Sequence, residues 1–145
     1  MRRWKKRDER GQALTEFAAI AVMFFMLVFG ILEMGRAFYY YSTVVNAAQD
    51  GARYGTVNPT DTNGIRSKVR ACSQALDLAD GNIVISYPDG SAGFGDRINV
   101  AVNYSFNSVV AFVPSFPVAG ISTMRIVYAP SASSTYTFTG CSESR

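Results

Sequence analysis

The sequence predicts an α+β fold: a long N-terminal transmembrane helix, then a small domain with a second helix and a three- or four-stranded antiparallel sheet. Three observations predict it. An apolar run of membrane length follows a basic leader, and a proline-free helical stretch continues well beyond that run. After Asn58 the apolar residues recur first at helical spacing and then in the alternation of strands. This divides the chain into a basic leader over 1–11, a long helix over 12–57 with its transmembrane half at about 14–32, and an extracytoplasmic domain with a C-terminal tail over 58–145.

The helix begins with the apolar run. Phe17 to Leu32 are sixteen uncharged, mostly apolar residues, and counting from Gln12 gives twenty-one. A hydrocarbon core about 30 Å thick needs ~20 helical residues, so the longer count spans it comfortably. Residues 1–11 carry six Lys/Arg against two Asp/Glu, a net of +4, whereas the remainder nets −1. Positive charge ahead of the run places the N-terminus in the cytoplasm and the C-terminal body outside. A secretory signal peptide fits poorly, because an h-region is usually ~7–15 residues and a small-x-small cleavage site follows it. An uncleaved anchor accounts for orientation and length but leaves Gly11 and Glu16 unexplained.

Glu16 is the costly residue. A carboxylate at a bilayer centre costs ~2.5–3.5 kcal/mol on insertion scales and less near an interface. Either it snorkels to the headgroups or it is held for a partner.

Beyond the bilayer the helical stretch has no proline as far as Gly55, and Leu14 to Tyr54 alone is forty-one residues, roughly 60 Å of rod. Glu33 and Arg36, at i,i+3, offset each other's charge at the membrane surface. Phe38, Tyr39, Tyr40 and Tyr41 read as an interfacial aromatic belt. Ala47, Gly51 and Gly55 then recur every four residues, with Ala48 and Ala52 beside them. Each helical glycine costs about 1 kcal/mol against alanine, so the stripe answers a packing requirement. Whether it packs under this protein's own sheet or against another subunit stays open.

The outer domain starts where Asn58–Gly64, "NPTDTNG", breaks the helix, with Thr60 or Asp61 as a cap. Ile65, Val69, Cys72 and Leu76 share one face of a second helix ending near Asp80-Gly81. Strands follow at Asn82–Tyr87, Arg97–Phe106 and Ile121–Ala129; Ile98, Val100, Val102, Tyr104 and Phe106 alternate onto one face. Pro114 and Pro117 make Ser108–Gly120 an apolar loop, serving as core lining or as a contact patch for another subunit. Cys72 and Cys141 are the only cysteines, an even count in a segment expected to face an oxidising compartment. A bridge would close a loop of about 70 residues, worth roughly 4 kcal/mol in the chain-entropy model; two free buried thiols are the alternative.

Composition narrows the function. The body carries no basic surface for phosphates, which argues against nucleic acid as a partner. The sequence has no His, removing the commonest general base and metal ligand, and Lys68 is the only lysine after the leader. Serines and threonines abound in the tail, but no activating base is apparent. No enzymatic activity, metal or cofactor is expected.

Three blocks, R-G-Q-A-L-T-E-F, G-I-L-E-M-G-R-A and N-A-A-Q-D-G-A-R-Y-G, in this order and spacing, resemble the TadE-like family, pseudopilins of the bacterial tight-adherence (Flp pilus) systems. The resemblance covers roughly residues 10–57. It departs in one respect: family members often carry a proline a few residues after the glutamate, and Ala21-Val22-Met23 has none, so the resemblance does not carry a kink over to this helix.

The resemblance implies a minor pilin or pseudopilin of a type IV-like pilus, without catalytic activity, held in the bacterial inner membrane. It also implies removal of the leader by a prepilin peptidase between Gly11 and Gln12, where a glycine lets the backbone enter the cleft. Glu16, followed by Phe17, would then register one subunit against a new amino terminus at Gln12, its own at i,i+4 or a neighbour's. Implied partners are that peptidase, other pilin or pseudopilin subunits, the inner-membrane assembly platform and the lipid bilayer, with roles in pilus assembly and adhesion. The competing class is an uncleaved single-pass binding or sensor protein. The filament's major subunit is a third reading, disfavoured because such subunits are usually much shorter.

Overall fold

The computed structural model describes residues 9–110 and 114–127. A single helix, α1 (Glu9–Val57), opens it. Helix-forming and apolar residues fill α1 without a proline, and it stops where Asn58-Pro59 begins. The chain divides into two compact units between Arg36 and Ala37, inside α1. Residues 37–57 belong to the second unit, and their buried face is the floor of its core.

In the first unit, α1 carries apolar side chains all round. From Leu14 to Met34, thirteen large apolar side chains are 50–73% exposed. This is the one helix among the described residues long and apolar enough to cross a membrane.

In the second unit, α2 (Thr62–Cys72) and three strands, β1 (Ile83–Ser86), β2 (Arg97–Phe106) and β3 (Phe116–Arg125), pack with the end of α1. The sheet is an antiparallel meander in the order β1-β2-β3. Its register pairs Ile83 with Val102, Ile98 with Met124 and Phe106 with Phe116. Ile98, Val100, Val102 and Phe106 of β2 face inward with Ile83 and Val118, against Val44, Ala47, Ala48 and Ala52 of α1 and Ile65 and Val69 of α2. Tyr104 shares that face half-buried.

Asp61 caps α2: its Oδ1 accepts from Gly64 N at 2.9 Å, and its Oδ2 accepts from Tyr54 Oη at 2.8 Å. The Tyr54 hydroxyl is pushed above its ordinary pKa, first by burial and then by this bond to a carboxylate. Burial does the same to Tyr87, whose hydroxyl donates to the Pro59 carbonyl and so holds the connection after β1 to the turn after α1.

Two boundaries depart from the sequence reading. The second helix ends at Cys72, not near Asp80-Gly81: Ser73 turns its N–H to the Arg70 carbonyl at 3.1 Å and its hydroxyl to the Val69 carbonyl at 2.7 Å. A 3-10 turn over Gln74–Leu76 and left-handed Asp77 (φ 43°) follow, and they still deliver Leu76 to the core. The expected loop over Ser108–Gly120 is a strand from Phe116 onward, and the third strand ends at Arg125 instead of Ala129. Pro117 pairs with Ser105 there. Proline is admitted because β3 is an edge strand and Pro117 its second residue.

Beyond β3 the chain folds back on the unit: Ile126 N donates to Asp96 O at 2.8 Å and Val127 N to Thr56 O at 3.1 Å. The connection from β1 to β2 is held by its carboxylates. Asp96 accepts from Gly93 N at 3.0 Å and from Ser91 Oγ, and Asp89 takes a two-pronged ion pair from Arg97 at 2.6–3.2 Å. That pair holds the Asp89 carboxyl down to about 2.

Candidate assembly site on the N-terminal helix

The Gly11–Gln12 peptide lies two residues inside α1. A Cβ on Gly11 would meet nothing within 4 Å among the described residues, so no packing against them requires glycine there. Its cost to the helix, about 1 kcal/mol against alanine, is therefore not repaid by internal contacts. One residue before Glu16, Thr15 Oγ1 donates to the Gln12 carbonyl at 2.8 Å, satisfying its hydroxyl inside the helix.

Glu16 and Phe17 stand exposed on this first unit. Among the described residues Glu16 has no hydrogen-bond or ion-pair partner. The carboxylate is thus presented at the head of an uncovered apolar surface. Covering the apolar side chains from Leu14 to Met34 is worth on the order of 15 kcal/mol against water. Lipid supplies that term as well as protein does, so helix association in a bilayer is decided by packing and by polar groups. Phe24, Phe25 and Phe29 add neighbouring rings along the run, with centroids 5.8 and 6.5 Å apart.

Glu33 and Arg36 close the apolar run as a pair. Arg36 Nη1 donates to Glu33 Oε2 at 2.6 Å, one turn apart. A charge-assisted bond of that length neutralises both groups locally.

The small-residue stripe lies in the second unit, and its surroundings are internal. Ala47, Gly51 and Gly55 are buried. A Cβ on Gly51 would stand 2.5 Å from Val69 Cγ2 and 3.4 Å from Val100 Cγ1. On Gly55 it would stand 2.4 Å from Ile98 Cδ1 and 3.3 Å from Ile65 Cδ1. Of the two alternatives left open by the sequence, this geometry is that of packing beneath the protein's own sheet and α2.

Cys72 is half-buried at the end of α2, with Sγ 3.1 Å from Asp50 Oδ2. Cys141 lies outside the described residues. Among the described residues no group of three or more His, Cys, Asp or Glu is placed to hold a metal ion.

Two positions that matter, Gly120 and Gly64, were not singled out from sequence, and a third, Tyr40, has a different role from the one expected. Gly120 of β3 marks a close approach of sheet to helix, since a Cβ there would lie 2.7 Å from the Val44 carbonyl oxygen. The signal available was a glycine inside an apolar β-rich stretch, which marks close backbone approach. Gly64 is pinned by the cap, its would-be Cβ 2.1 Å from Asp61 Oδ2. Tyr40 turns out of the aromatic belt: its ring centroid lies 5.6 Å from those of Tyr104 and Phe106.

Residues 11–53 match the family model described as TadE-like protein. The matched stretch runs from the Gly11 junction through the Glu16 carboxylate and the apolar run to the small-residue stripe. The chain matches no curated protein and no solved structure.

Proposed function

We propose that this chain, TadE-like over residues 11–53, is a Tad pilus-associated protein: a minor pilin or pseudopilin anchored by α1 in the bacterial inner membrane, its second unit outside the cytoplasm. It acts as a structural component, not as an enzyme. The observation that carries the reading is the exposed Glu16, without a partner among the described residues, at the head of an uncovered apolar helix, inside the matched segment. A carboxylate in that position is a net cost to a lone anchor and becomes useful when an amino terminus is brought to it.

Cleavage after Gly11 by a prepilin peptidase creates that amino terminus on Gln12. The positive group then lies one helical turn from Glu16 of the same chain, or reaches Glu16 of a neighbour when subunits pack side by side. In the second case each Glu16 fixes the axial position of the next helix, and the apolar faces between Phe17 and Leu32 exchange lipid for protein. The partners are the peptidase, the other pilus subunits and the inner-membrane assembly platform. Outside the membrane, a Cys72–Cys141 bridge fastens the tail to α2. It predicts faster migration of the extracytoplasmic protein on a non-reducing gel than after reduction, and identical mobilities would remove it.

Glu16→Ala tests the assembly role. Processing of the leader should be unchanged, while the amount of this subunit recovered in sheared surface filaments should fall severalfold. Filaments carrying the variant at the normal level would overturn the register role and favour an uncleaved single-pass binding or sensor protein if the leader also remained attached.

A further inference from the structure

We infer that Gln12, once cleavage has made it the first residue, is a modification site: its α-amino nitrogen closes on its own side-chain carboxamide to form a lactam, and pairing with Glu16 delays that closure. The inference rests on the cleavage proposed above and limits how long the new terminus stays charged.

The chemistry follows from the residue type. A glutamine side chain holds its carboxamide carbon where attack by the residue's own nitrogen closes a small, unstrained ring. While the leader is attached, that nitrogen belongs to the Gly11–Gln12 peptide and its lone pair is delocalised into the carbonyl, so it does not attack. After the cut it is an amine that titrates, unperturbed, at about 7.7–8.0, so a sizeable share is unprotonated near neutral pH. The N–Cδ bond then forms and the Cδ–Nε2 bond breaks. The carboxamide nitrogen leaves as ammonia, taking up the proton that the amine gives up, and no oxidant or other reactant is needed. The product nitrogen is a neutral amide, so the terminus loses its positive charge.

The local structure leaves this closure open. Gln12 is exposed, and among the described residues its carboxamide makes no hydrogen bond. Thr15 Oγ1 donates to the Gln12 carbonyl at 2.8 Å, which holds the backbone of Gln12 in the helix but engages neither its nitrogen nor its side chain. The first N–H groups of a helix have no carbonyl partner within it, so the nitrogen stands free at the new helix end. Closure involves only the nitrogen, Cα and side chain of one residue and needs no unwinding of α1.

Charge sets the rate, because only the unprotonated amine attacks. Glu16 is the sole ionisable side chain from Gln12 to Leu32, and it is exposed. It stands one turn after Gln12, and helical side chains lean towards the N-terminus, so its carboxylate reaches back towards the new amine. A carboxylate at that range favours the ammonium form, which has no lone pair to attack with. A neighbour's Glu16 protects in the same way. A terminus held by Glu16 therefore keeps its charge, while one that waits unpaired loses it and leaves Glu16 with no cation to offset its cost in lipid. Closure retires subunits that have not been paired.

The test is mass analysis of the N-terminal peptide of the full chain, made in cells with an active prepilin peptidase. Their isolated membranes are incubated at about pH 8, near the titration of the amine. Parent, Glu16→Ala, Glu16→Gln and Gln12→Met are compared. In both Glu16 variants the peptide beginning at Gln12 should become lighter by one ammonia severalfold faster than in the parent, and Gln12→Met should show no such loss. Glu16→Gln keeps the size of the side chain and removes its charge, so agreement of the two variants assigns the effect to charge and not to packing. Equal rates in the parent and both Glu16 variants overturn the inference. A chain that begins at Gln12 and keeps its ammonia in every variant overturns the inference alone, whereas a chain still beginning at Met1 overturns the cleavage reading and the inference with it.

Discussion

Replacing Gly120 by alanine tests how the sheet is seated on α1. Gly120 has no positive φ; among the described residues the left-handed glycines are Gly90 and Gly95. Alanine can therefore adopt its backbone conformation, and the reduced freedom of the unfolded chain would by itself stabilise by about 0.4–1 kcal/mol. The contacts oppose this. The new Cβ would lie 2.7 Å from Val44 O, 2.8 Å from Val44 C and 2.9 Å from Val45 Cα, all backbone atoms that no rotamer change can withdraw. Carbon atoms settle at about 3.5–4.0 Å, so β3 and α1 must part by roughly 0.6 Å or more, and a gap of that size forfeits about a quarter to a half of each lost dispersion contact. Overpacking of this kind costs about 1–3 kcal/mol. The net is a destabilisation of about 1–2 kcal/mol, a fall in Tm of roughly 5–10 °C. The assay is a thermal melt of the detergent-solubilised full chain followed by near-ultraviolet circular dichroism of its packed tyrosines. Gly81→Ala, with nothing within 4 Å of its would-be Cβ, is the control and should melt like the parent. If Gly120→Ala melts with the control, the seating of sheet on helix is not as described.

Other outcomes follow from the same unit. Asp61→Ala removes both the cap of α2 and the partner of Tyr54, and should destabilise by about 1 kcal/mol in urea unfolding, whereas Asp61→Asn, which retains a capping oxygen, should recover most of it. The Asp89 carboxyl, held down to about 2 by Arg97, contributes stability that is fully present above its ordinary value of 3.8 and is lost as the pH falls towards 2. The stability difference between the parent and Asp89→Asn should accordingly be seen above that range and vanish below it; a difference unchanged by acid would refute the pairing. Gly51→Leu should disrupt the unit far more than Gly30→Leu, since the first would strike Val69 and the second meets nothing within 4 Å.

The legible parts of the fold were those decided locally. β2 was readable to the residue because Ile98 to Phe106 alternate strictly between turn-forming segments. A cap at Thr60 or Asp61 needed only its position before an amphipathic repeat, and the structure takes Asp61. β3 was misplaced because Pro114 and Pro117 argue locally for a loop, while its pairing with β2 is a non-local fact and its edge position removes the objection to proline. The second helix was overextended because Leu76 keeps the helical spacing through a 3-10 turn. At the candidate site, the residues were readable and their surroundings were not. Gly51 and Gly55 form the same pattern whether they meet another subunit or their own sheet; only the positions of Val69 and Ile98 discriminate. Gly120 and Tyr40 matter through contacts with distant stretches of chain, which no spacing along the sequence reveals.

The central claim is that Gly11–Gln12 is a processing junction that prepares an amino terminus for Glu16. Intact-mass measurement of the protein extracted from membranes of cells with an active prepilin peptidase tests it most directly. The account predicts a chain beginning at Gln12, and retention of the leader in a Gly11→Glu variant. A parent chain that still begins at Met1 in those cells would contradict it.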